Sequence, residues 1–231
     1  IVLGKRTGWP QNRPAPHNIP FVMLGAGILW FGWFGFNAGS ALAANGAATQ
    51  AFVNTFIAGA AGMVAWMIVE MAKTGKVSTI GMASGVVAAL VAITPAAGFV
   101  GSMHSFVFGA LAGIICFFAI QAKFRFGFDD SLDVVGIHFV GGAVGGILLG
   151  FMADASAVPG GDFANGVFFG GGILLWNQIL SIAVVTAFSF GATYIIAKVM
   201  DKTIGLRVTE STEMTGLDVS DHGEAAYVME S

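Results

Sequence analysis

DVVGIHFVGGAVGGILLG, residues 133–150, is an apolar, glycine-rich run that contains one ionisable side chain, His138. Its length suits a helix that crosses the hydrocarbon core of a bilayer, which is about 30 Å thick. An ionisable side chain at membrane depth is costly and commonly faces the interior of a helix bundle or an ion path. His138 is therefore the first candidate for a functional residue.

The composition of the whole chain indicates a membrane protein. Of its 231 residues, 56% are hydrophobic and 10% are charged, with a mean hydropathy of +0.81. A typical soluble domain has about 25% charged residues. Most of the 34 glycines lie within apolar runs, where small residues let helices approach closely. The sequence predicts an all-α membrane protein with a polytopic helix bundle.

Apolar stretches that are long enough to cross the hydrocarbon core recur six times. The predicted transmembrane helices are approximately 19–43, 51–71, 78–94, 99–121, 132–152 and 167–198. The third is the shortest. This assignment divides the chain into three regions: 1–18, the end of a preceding helix and a cytoplasmic loop; 19–198, the six-helix transmembrane region; and 199–231, a polar, acid-rich C-terminal tail.

The basic residues predict the orientation of these helices. All 10 Lys and Arg residues lie before the first predicted span, in every second connection, or at the end of the last span and beyond it. They are Lys5, Arg6, Arg13, Lys73, Lys76, Lys123, Arg125, Lys198, Lys202 and Arg207. Because cytoplasmic loops are enriched in Lys and Arg, we predict multi-pass insertion with a cytoplasmic C-terminus.

On a regular α-helix, His138 shares one face with glycines one and two turns onward, Gly141, Gly142 and Gly145. Glycines at this spacing favour a helix-packing face, so we expect the imidazole to point into the bundle. Two interpretations remain open, a structural histidine bonded to a neighbouring helix and a histidine that lines a transport path. Membrane depth favours the path. We expect Asp133 to cap the start of this helix.

The first predicted span is dense in aromatic side chains. Trp33 and Ser40 share one face at helical spacing, and Phe36 or Asn37 lies between them. A ring attracts a small cation and a hydroxyl accepts its hydrogen bond, although core packing explains the pattern equally well. At 1.5 Å per residue, Ser40 and Phe36 lie roughly 13 Å and 7 Å outward of the span centre, and His138 roughly 6 Å inward of its own. On a common channel, a cation from outside would meet hydroxyl, ring and then imidazole.

Other classes of function find little support in the sequence. The net charge is −3 and no basic patch alternates with aromatic residues, which argues against a nucleic-acid partner. No second His, Cys or carboxylate has metal-ligand spacing with His138. No Ser, His and Asp set suggests nucleophilic catalysis. We expect no metal, no cofactor and no enzymatic activity.

Four ordered motifs give the chain a resemblance to a known family. They are GWFGFNAGSALAANG at 32–46, ITPAAGFVG at 93–101, DDSLDVVGIHFVGG at 129–142 and GLRVTESTEMTGLDVSDHGEAAY at 205–227. Together they extend over nearly the whole chain. The sequence resembles the ammonium transporter family, the Amt/Mep/Rh channels, and most of all its bacterial and archaeal Amt branch.

The resemblance implies an eleven-helix fold, built from two inverted five-helix repeats and a last long helix, that assembles as a homotrimer with one pore per subunit. The chain corresponds to the second inverted repeat and the last helix of that fold. It opens with Ile1 rather than Met, and we expect Ile1 to Gly4 to be the end of the fifth helix. The first half, with a twin pore histidine, would then be missing.

The resemblance also implies roles for single residues. Phe36 is one of two stacked gate phenylalanines, Ser40 belongs to the outer ammonium site, and Trp33 lines the pore below the gate. His138 is one of the twin pore histidines. In family members the C-terminal tail regulates the pore and helps to dock a PII-type (GlnK-like) signalling protein. The matching tail positions are Gly205, Arg207, Gly216, Asp218, His222, Gly223 and Tyr227.

The predicted function is ammonium transport across the plasma membrane. NH4+ is recruited at the aromatic and hydroxyl site, loses its proton because a bare cation in an apolar pore is expensive, and crosses as NH3 past the histidines. The alternative is a membrane ammonium sensor that uses the same binding features.

Overall fold

The computed structural model describes residues 2–11, 15–225 and 227. Ile1 and Arg13, which entered the predictions above, lie outside the described residues, as do 226 and 228–231 of the predicted tail. Within the described residues all regular structure is helical, so the all-α prediction is confirmed. The α-helices are α1 (Ile19–Gly39), α2 (Gly46–Thr74), α3 (Thr79–Ile93), α4 (Ser102–Phe126), α5 (Val140–Met152), α6 (Ile173–Thr203) and α7 (Glu210–Thr215).

Short helical turns complete these elements. A π-helical turn, Val135–Phe139, leads directly into α5, and 3-10 turns occur at Ala155–Ala157 and Val167–Phe169. A second π-helical turn, Asp218–His222, follows α7 in the tail.

Five helical stretches of the described chain are long and apolar enough to cross a membrane. They are Ile19–Gly39, Gly46–Thr74, Ser102–Phe126, Val135–Met152 and Ile173–Thr203. The third predicted span corresponds to α3, which is a shorter apolar helix. This pattern agrees with a multi-pass membrane protein.

Several helix ends differ from the predicted ones for local reasons. The first helix stops at Gly39 rather than near 43, because Leu42 has a left-handed φ of 54° that a helix cannot continue. The last long helix starts after Gly170, which has a φ of 85°, and it continues beyond Lys198 to Thr203. Val2–Gly4 are not helical, contrary to the expectation that they end a helix.

The chain divides into two compact units. One, here the core unit, comprises Pro16–Phe126 and Asp130–Val184. The other, here the terminal unit, comprises Gly127–Asp129 with the described parts of Ile1–Ala15 and Val185–Ser231.

Glycine contacts hold the centre of the core unit together. Gly62 of α2 lies opposite glycines of α3 and α4. A Cβ on Gly85 would lie 2.8 Å from the Gly62 carbonyl oxygen, and a Cβ on Gly113 would lie 2.5 Å from the same oxygen. Real Cβ atoms do not come this close to a backbone oxygen, so only glycine permits the spacing of these three helices.

A buried amide fixes the connection between α3 and α4. Asn54 is fully buried in α2, and its side-chain nitrogen donates to the carbonyl oxygens of Ala97 at 2.8 Å and Val100 at 2.7 Å. A buried loop must have its backbone polar groups paired, and this side chain pairs two of them.

In the terminal unit, the tail binds the N-terminal segment. Arg207 donates to the carbonyl oxygen of Leu3 at 3.0 Å and to the Glu213 carboxylate at 2.8 Å. The same carboxylate accepts from the backbone amide of Thr7 at 2.9 Å. Bonds from Arg207 and from Thr7 hold the pKa of the Glu213 carboxyl below its usual value.

Candidate functional site

Trp33 and Phe36 line an open apolar groove on α1. The groove has a volume of about 550 Å³, and its lining residues are Gly25, Ile28, Leu29, Gly32, Trp33 and Phe36. The rings of Trp33 and Phe36 meet edge to face, with centroids 6.0 Å apart and planes at 78°. Small residues on this face leave the space that the two rings border.

A hydrogen bond orients the Trp33 ring. Its indole nitrogen donates to the Thr94 hydroxyl oxygen at 2.8 Å, and that hydroxyl donates in turn to the carbonyl oxygen of Leu90 at 2.7 Å. Thr94 is the residue directly after α3, so the bond ties the ring on α1 to the end of α3. The ring is therefore fixed on its polar side while its apolar side borders the groove.

The structure separates Phe36 from Asn37, which were alternatives on the predicted face. Phe36 is 61% exposed, whereas Asn37 is buried and donates to the Thr55 hydroxyl of α2 at 2.9 Å. Phe36 is thus the residue that shares the groove with Trp33, and Asn37 holds α1 against α2.

Ser40 lies at the C-terminal end of α1 and is exposed. Its hydroxyl donates to the Phe36 carbonyl oxygen at 2.7 Å. Because the proton is used in this bond, the oxygen lone pairs remain available to accept a hydrogen bond. Ser40 is not among the residues that line the groove.

His138 lies in the π-helical turn before α5, and its side chain is exposed. The expectation that it shares the buried face with the glycines is wrong: Gly141 and Gly145 are buried, and His138 is not. A π turn is wider than an α turn, so the residues before it are rotated relative to those after it. The 3.6-residue pattern used for the prediction does not hold across Val135–Phe139.

The opposite side of this helix packs on α3. A Cβ on Gly141 would lie 3.4 Å from the Ala88 carbonyl oxygen, and a Cβ on Gly145 would collide with the carbonyl oxygen of Ala92. Gly142 is less crowded, with its nearest contact 3.9 Å away at Val91. The helix therefore presents a glycine side to α3 and the imidazole on another side.

Asp133 does not cap this helix as expected. Asp130 does so instead, because its carboxylate accepts from the backbone amides of Val134 at 3.0 Å and Val135 at 2.8 Å. Asp133 has a left-handed φ of 58°, and its carboxylate binds the ammonium group of Lys123 at 2.5 Å.

The roles of two residues in this region were not predicted from the sequence. Thr94 binds Trp33 across 61 positions of sequence, and no local pattern reports such a pairing. Lys123 was counted only as a basic residue of a cytoplasmic connection, whereas it is 8% exposed and belongs to α4. The aspartates that follow it at 129, 130 and 133 were the available signal, since a buried lysine needs an anionic partner.

The predicted tail positions adopt turn and helix-end conformations. Gly205, Gly216 and Gly223 have φ values of 74°, 102° and 67°, which glycine adopts without steric cost. Gly216 follows α7, and Asp218 and His222 bound the π-helical turn after it. Arg207 binds Leu3 and Glu213, and Tyr227 is exposed.

The described part of the chain contains no group of three or more His, Cys, Asp or Glu side chains that could hold a metal ion. The candidate site thus consists of an aromatic groove, a hydroxyl and an exposed imidazole. Trp33 and Phe36 are brought together, while Ser40 and His138 lie outside the groove.

Comparison with known proteins agrees with the resemblance. A model of the Ammonium Transporter Family matches residues 1–227. An ammonium transporter of Mycobacterium bovis is 50% identical over an alignment of 231 positions, which covers 98% of this chain and 48% of that protein. The crystal structure of Candida albicans Mep2 has a TM-score of 0.84 at 37% identity and covers 90% of this chain and 48% of that one.

A structure described as a sensor Amt protein has a TM-score of 0.84 at 29% identity, covering 96% of this chain and 55% of that one. The chain thus spans about half the length of the relatives that it matches. The Mycobacterium bovis relative and the matching family are both named for ammonium transport, and the family is one of transporters, not of enzymes. Because the family model matches residues 1–227, this chain belongs to the ammonium transporter family.

Proposed function

We propose that the protein to which this chain belongs transports ammonium across the plasma membrane. The observation that carries the proposal is the exposure of His138 on an apolar helix of a chain from this family. An imidazole exposed to lipid would be costly, whereas one exposed to a pore can exchange hydrogen bonds with a polar substrate. Another part of the assembled protein would complete the wall opposite it.

The recruiting site for the cation is Phe36 with Ser40. A ring face attracts a cation, and the Ser40 oxygen accepts a hydrogen bond from it. The edge-to-face contact with Trp33 and the Trp33–Thr94 bond support a fixed position for this aromatic pair. Ammonium would be held here as its hydration shell is lost.

Deprotonation follows from the polarity of the groove. Its lining residues are apolar apart from the Trp33 indole, whose nitrogen already binds Thr94. A bare cation in such surroundings is far more expensive than a neutral molecule, so the substrate crosses as NH3. His138 exchanges a hydrogen bond with NH3 and takes up and passes on the released proton, because an imidazole has one nitrogen that can donate and one that can accept.

The proposal includes the fold of the whole subunit, its assembly and its orientation in the membrane. The chain forms the second inverted repeat and the last helix of an eleven-helix subunit in a homotrimer, with the C-terminus in the cytoplasm. The one-sided distribution of Lys and Arg supports this orientation.

The tail is proposed to regulate the pore and to help dock a PII-type partner. The bonds of Arg207 and Glu213 to the N-terminal segment support an ordered tail rather than a free one. An ordered tail with exposed positions such as Tyr227 is suited to form a surface to which a partner protein binds.

A membrane ammonium sensor is the second candidate. The similarity to a sensor Amt protein, at a TM-score of 0.84, is the observation that favours it. A sensor would bind ammonium at the same groove and hydroxyl but would not need to conduct it.

Ammonium uptake into liposomes distinguishes a transporter from a sensor. Liposomes with the full-length protein should take up ammonium down its gradient and exclude K+, while protein-free liposomes should not. Ammonium binding without uptake would favour the sensor. If the protein shows no ammonium binding and no uptake, both proposals are overturned.

A further inference from the structure

The ammonium group of Lys123 is buried at the end of α4 and bonded to the start of the His138 turn. Lys123 is 8% exposed, and its Nζ binds the Asp133 carboxylate at 2.5 Å. Nζ also donates to the backbone carbonyl oxygen of Asp130 at 2.6 Å. One side chain of α4 thus holds Asp130 and Asp133, two of the three aspartates that precede the π-helical turn.

Each of these aspartates sets the start of the turn. The Asp130 carboxylate caps Val134 and Val135, whose backbone amides have no partner within the helix. Asp133 has a left-handed φ of 58°, a conformation that Asp tolerates better than most residues but still seldom adopts. The carbonyl oxygen of Asp133 accepts from the backbone amide of Ile137 at 2.8 Å, an α-type bond that comes just before the π-type bond from Val140 to Val135.

Further contacts with α4 fix the turn along its length. Gly136 lies so close to α4 that a Cβ there would be 2.9 Å from the backbone nitrogen of Ile120. Cys116 approaches the carbonyl oxygen of Ile137, with Sγ at 3.9 Å. Gly136 and Ile137 are buried against α4, and the next residue, His138, is exposed.

We propose that Lys123 is a positioning residue for His138. Its bonds to Asp130 and Asp133 select the π register of Val135–Phe139, and that register turns the imidazole away from the packed glycine side. In a regular α turn, residue 138 would fall on the face of Gly141 and Gly145, and both of these positions already lie against the backbone of α3. The inference rests on the proposed transport function, in which His138 lines the pore.

The test measures ammonium transport by the full-length protein in liposomes, with the rate expressed per folded molecule. Lys123→Met keeps the aliphatic stem and removes the ammonium group. We expect the maximal rate to fall about 10- to 100-fold, because small displacements of a functional group have effects of this size. The half-saturating ammonium concentration should stay unchanged, because Phe36 and Ser40 lie on α1 and are untouched.

Three further variants complete the design. Lys123→Arg keeps a cation and should restore most of the rate. Asp133→Asn keeps an acceptor and tolerates the left-handed backbone, so it should fold and show a smaller loss of maximal rate. Lys76→Met removes an exposed lysine of the core unit and should behave like the wild type. If Lys123→Met yields no folded protein, the Asp133→Asn result decides.

A wild-type rate per molecule in Lys123→Met, or in Asp133→Asn where it decides, would overturn the inference and leave Lys123 a structural residue only. Equal losses in Lys123→Arg and Lys123→Met would also overturn it. His138→Ala in the same assay separates this failure from that of the proposed function. If His138→Ala is impaired and the Lys123 variants are not, only the positioning role fails; if wild type and His138→Ala both fail to transport, the proposed function fails.

Discussion

Helices α5 and α1 are both apolar and glycine-rich, yet their glycines have opposite surroundings. In α5, a Cβ on Gly146 would lie 2.9 Å from Ile182, and a Cβ on Gly150 would lie 2.6 Å from the backbone of Leu175. In α1, a Cβ on Gly27 or Gly32 would meet no other atom within 4 Å. Glycines of α5 bring backbones together, whereas those of α1 leave a groove open beside two aromatic rings. The same residue type thus allows close helix packing in one helix and borders an open groove in the other.

The largest effect is expected where the α5 packing is broken. In Gly145→Leu the new side chain would run into the Ala92 backbone, so the helices must separate. Overpacking of this kind costs about 3 kcal/mol or more when backbone has to move. Thermal unfolding of the detergent-solubilised full-length protein should show a large loss of stability.

Gly27→Leu is the matched control on α1, where the new side chain has open space. Leu has a better helix propensity than Gly by somewhat under about 1 kcal/mol, so little stability should be lost. Equal destabilisation by both variants would mean that the α1 glycines are also packed in the whole protein, and the contrast between the helices would not hold.

Smaller effects on stability and on ammonium uptake are expected when the bond between Trp33 and Thr94, which ties the groove to α3, is removed. Thr94→Val removes the acceptor of the Trp33 indole and leaves this half-buried N–H without a protein partner. An unsatisfied polar group costs about 1 kcal/mol or more, and a freed ring should slow ammonium uptake. Unfolding and liposome uptake measure the two consequences.

Thr49→Val is the control for this prediction. Thr49, like Thr94, donates to the carbonyl oxygen four residues earlier, but it is exposed and binds no ring in the described structure. Wild-type uptake in Thr94→Val would show that the Trp33 orientation is irrelevant to transport.

The smallest effect is expected in the tail, outside both helices, where pH should change the mobility of the chain. Arg207 and Thr7 lower the pKa of Glu213, so the contact is complete above the ordinary Glu pKa of about 4.3 and is lost as pH falls through the lowered value. A spin label at the exposed position Ser220 should become more mobile only in that acidic range.

Glu213→Gln removes the titrating group, and the label in this variant should be mobile to the same extent at every pH. Mobility of the wild-type label that does not depend on pH would contradict the role of this carboxylate in holding the tail.

The sequence predicted the helical membrane architecture well because hydropathy is a local property. The same is true of Trp33 and Phe36, whose spacing on one regular helix brought them together as expected. Helix ends were predicted less well where a single residue, such as Leu42, takes a left-handed conformation.

The exposed face of His138 could not be predicted from periodicity. The π-helical turn changes the register between the imidazole and Gly145, and it is set by distant contacts such as that of Lys123 with Asp133. Pairing between separate helices leaves no periodic signal. The bond between Trp33 and Thr94 was missed for the same reason.

Ammonium flux through the full-length His138→Ala protein in liposomes tests the central claim most directly, with Phe139→Ala as its control. Both side chains are exposed in the same π-helical turn, so nonspecific effects on the turn should appear in both variants. We predict that His138→Ala abolishes or alters ammonium conduction while Phe139→Ala conducts like the wild type. Wild-type flux and ion selectivity in His138→Ala would contradict the assignment of this histidine to the pore.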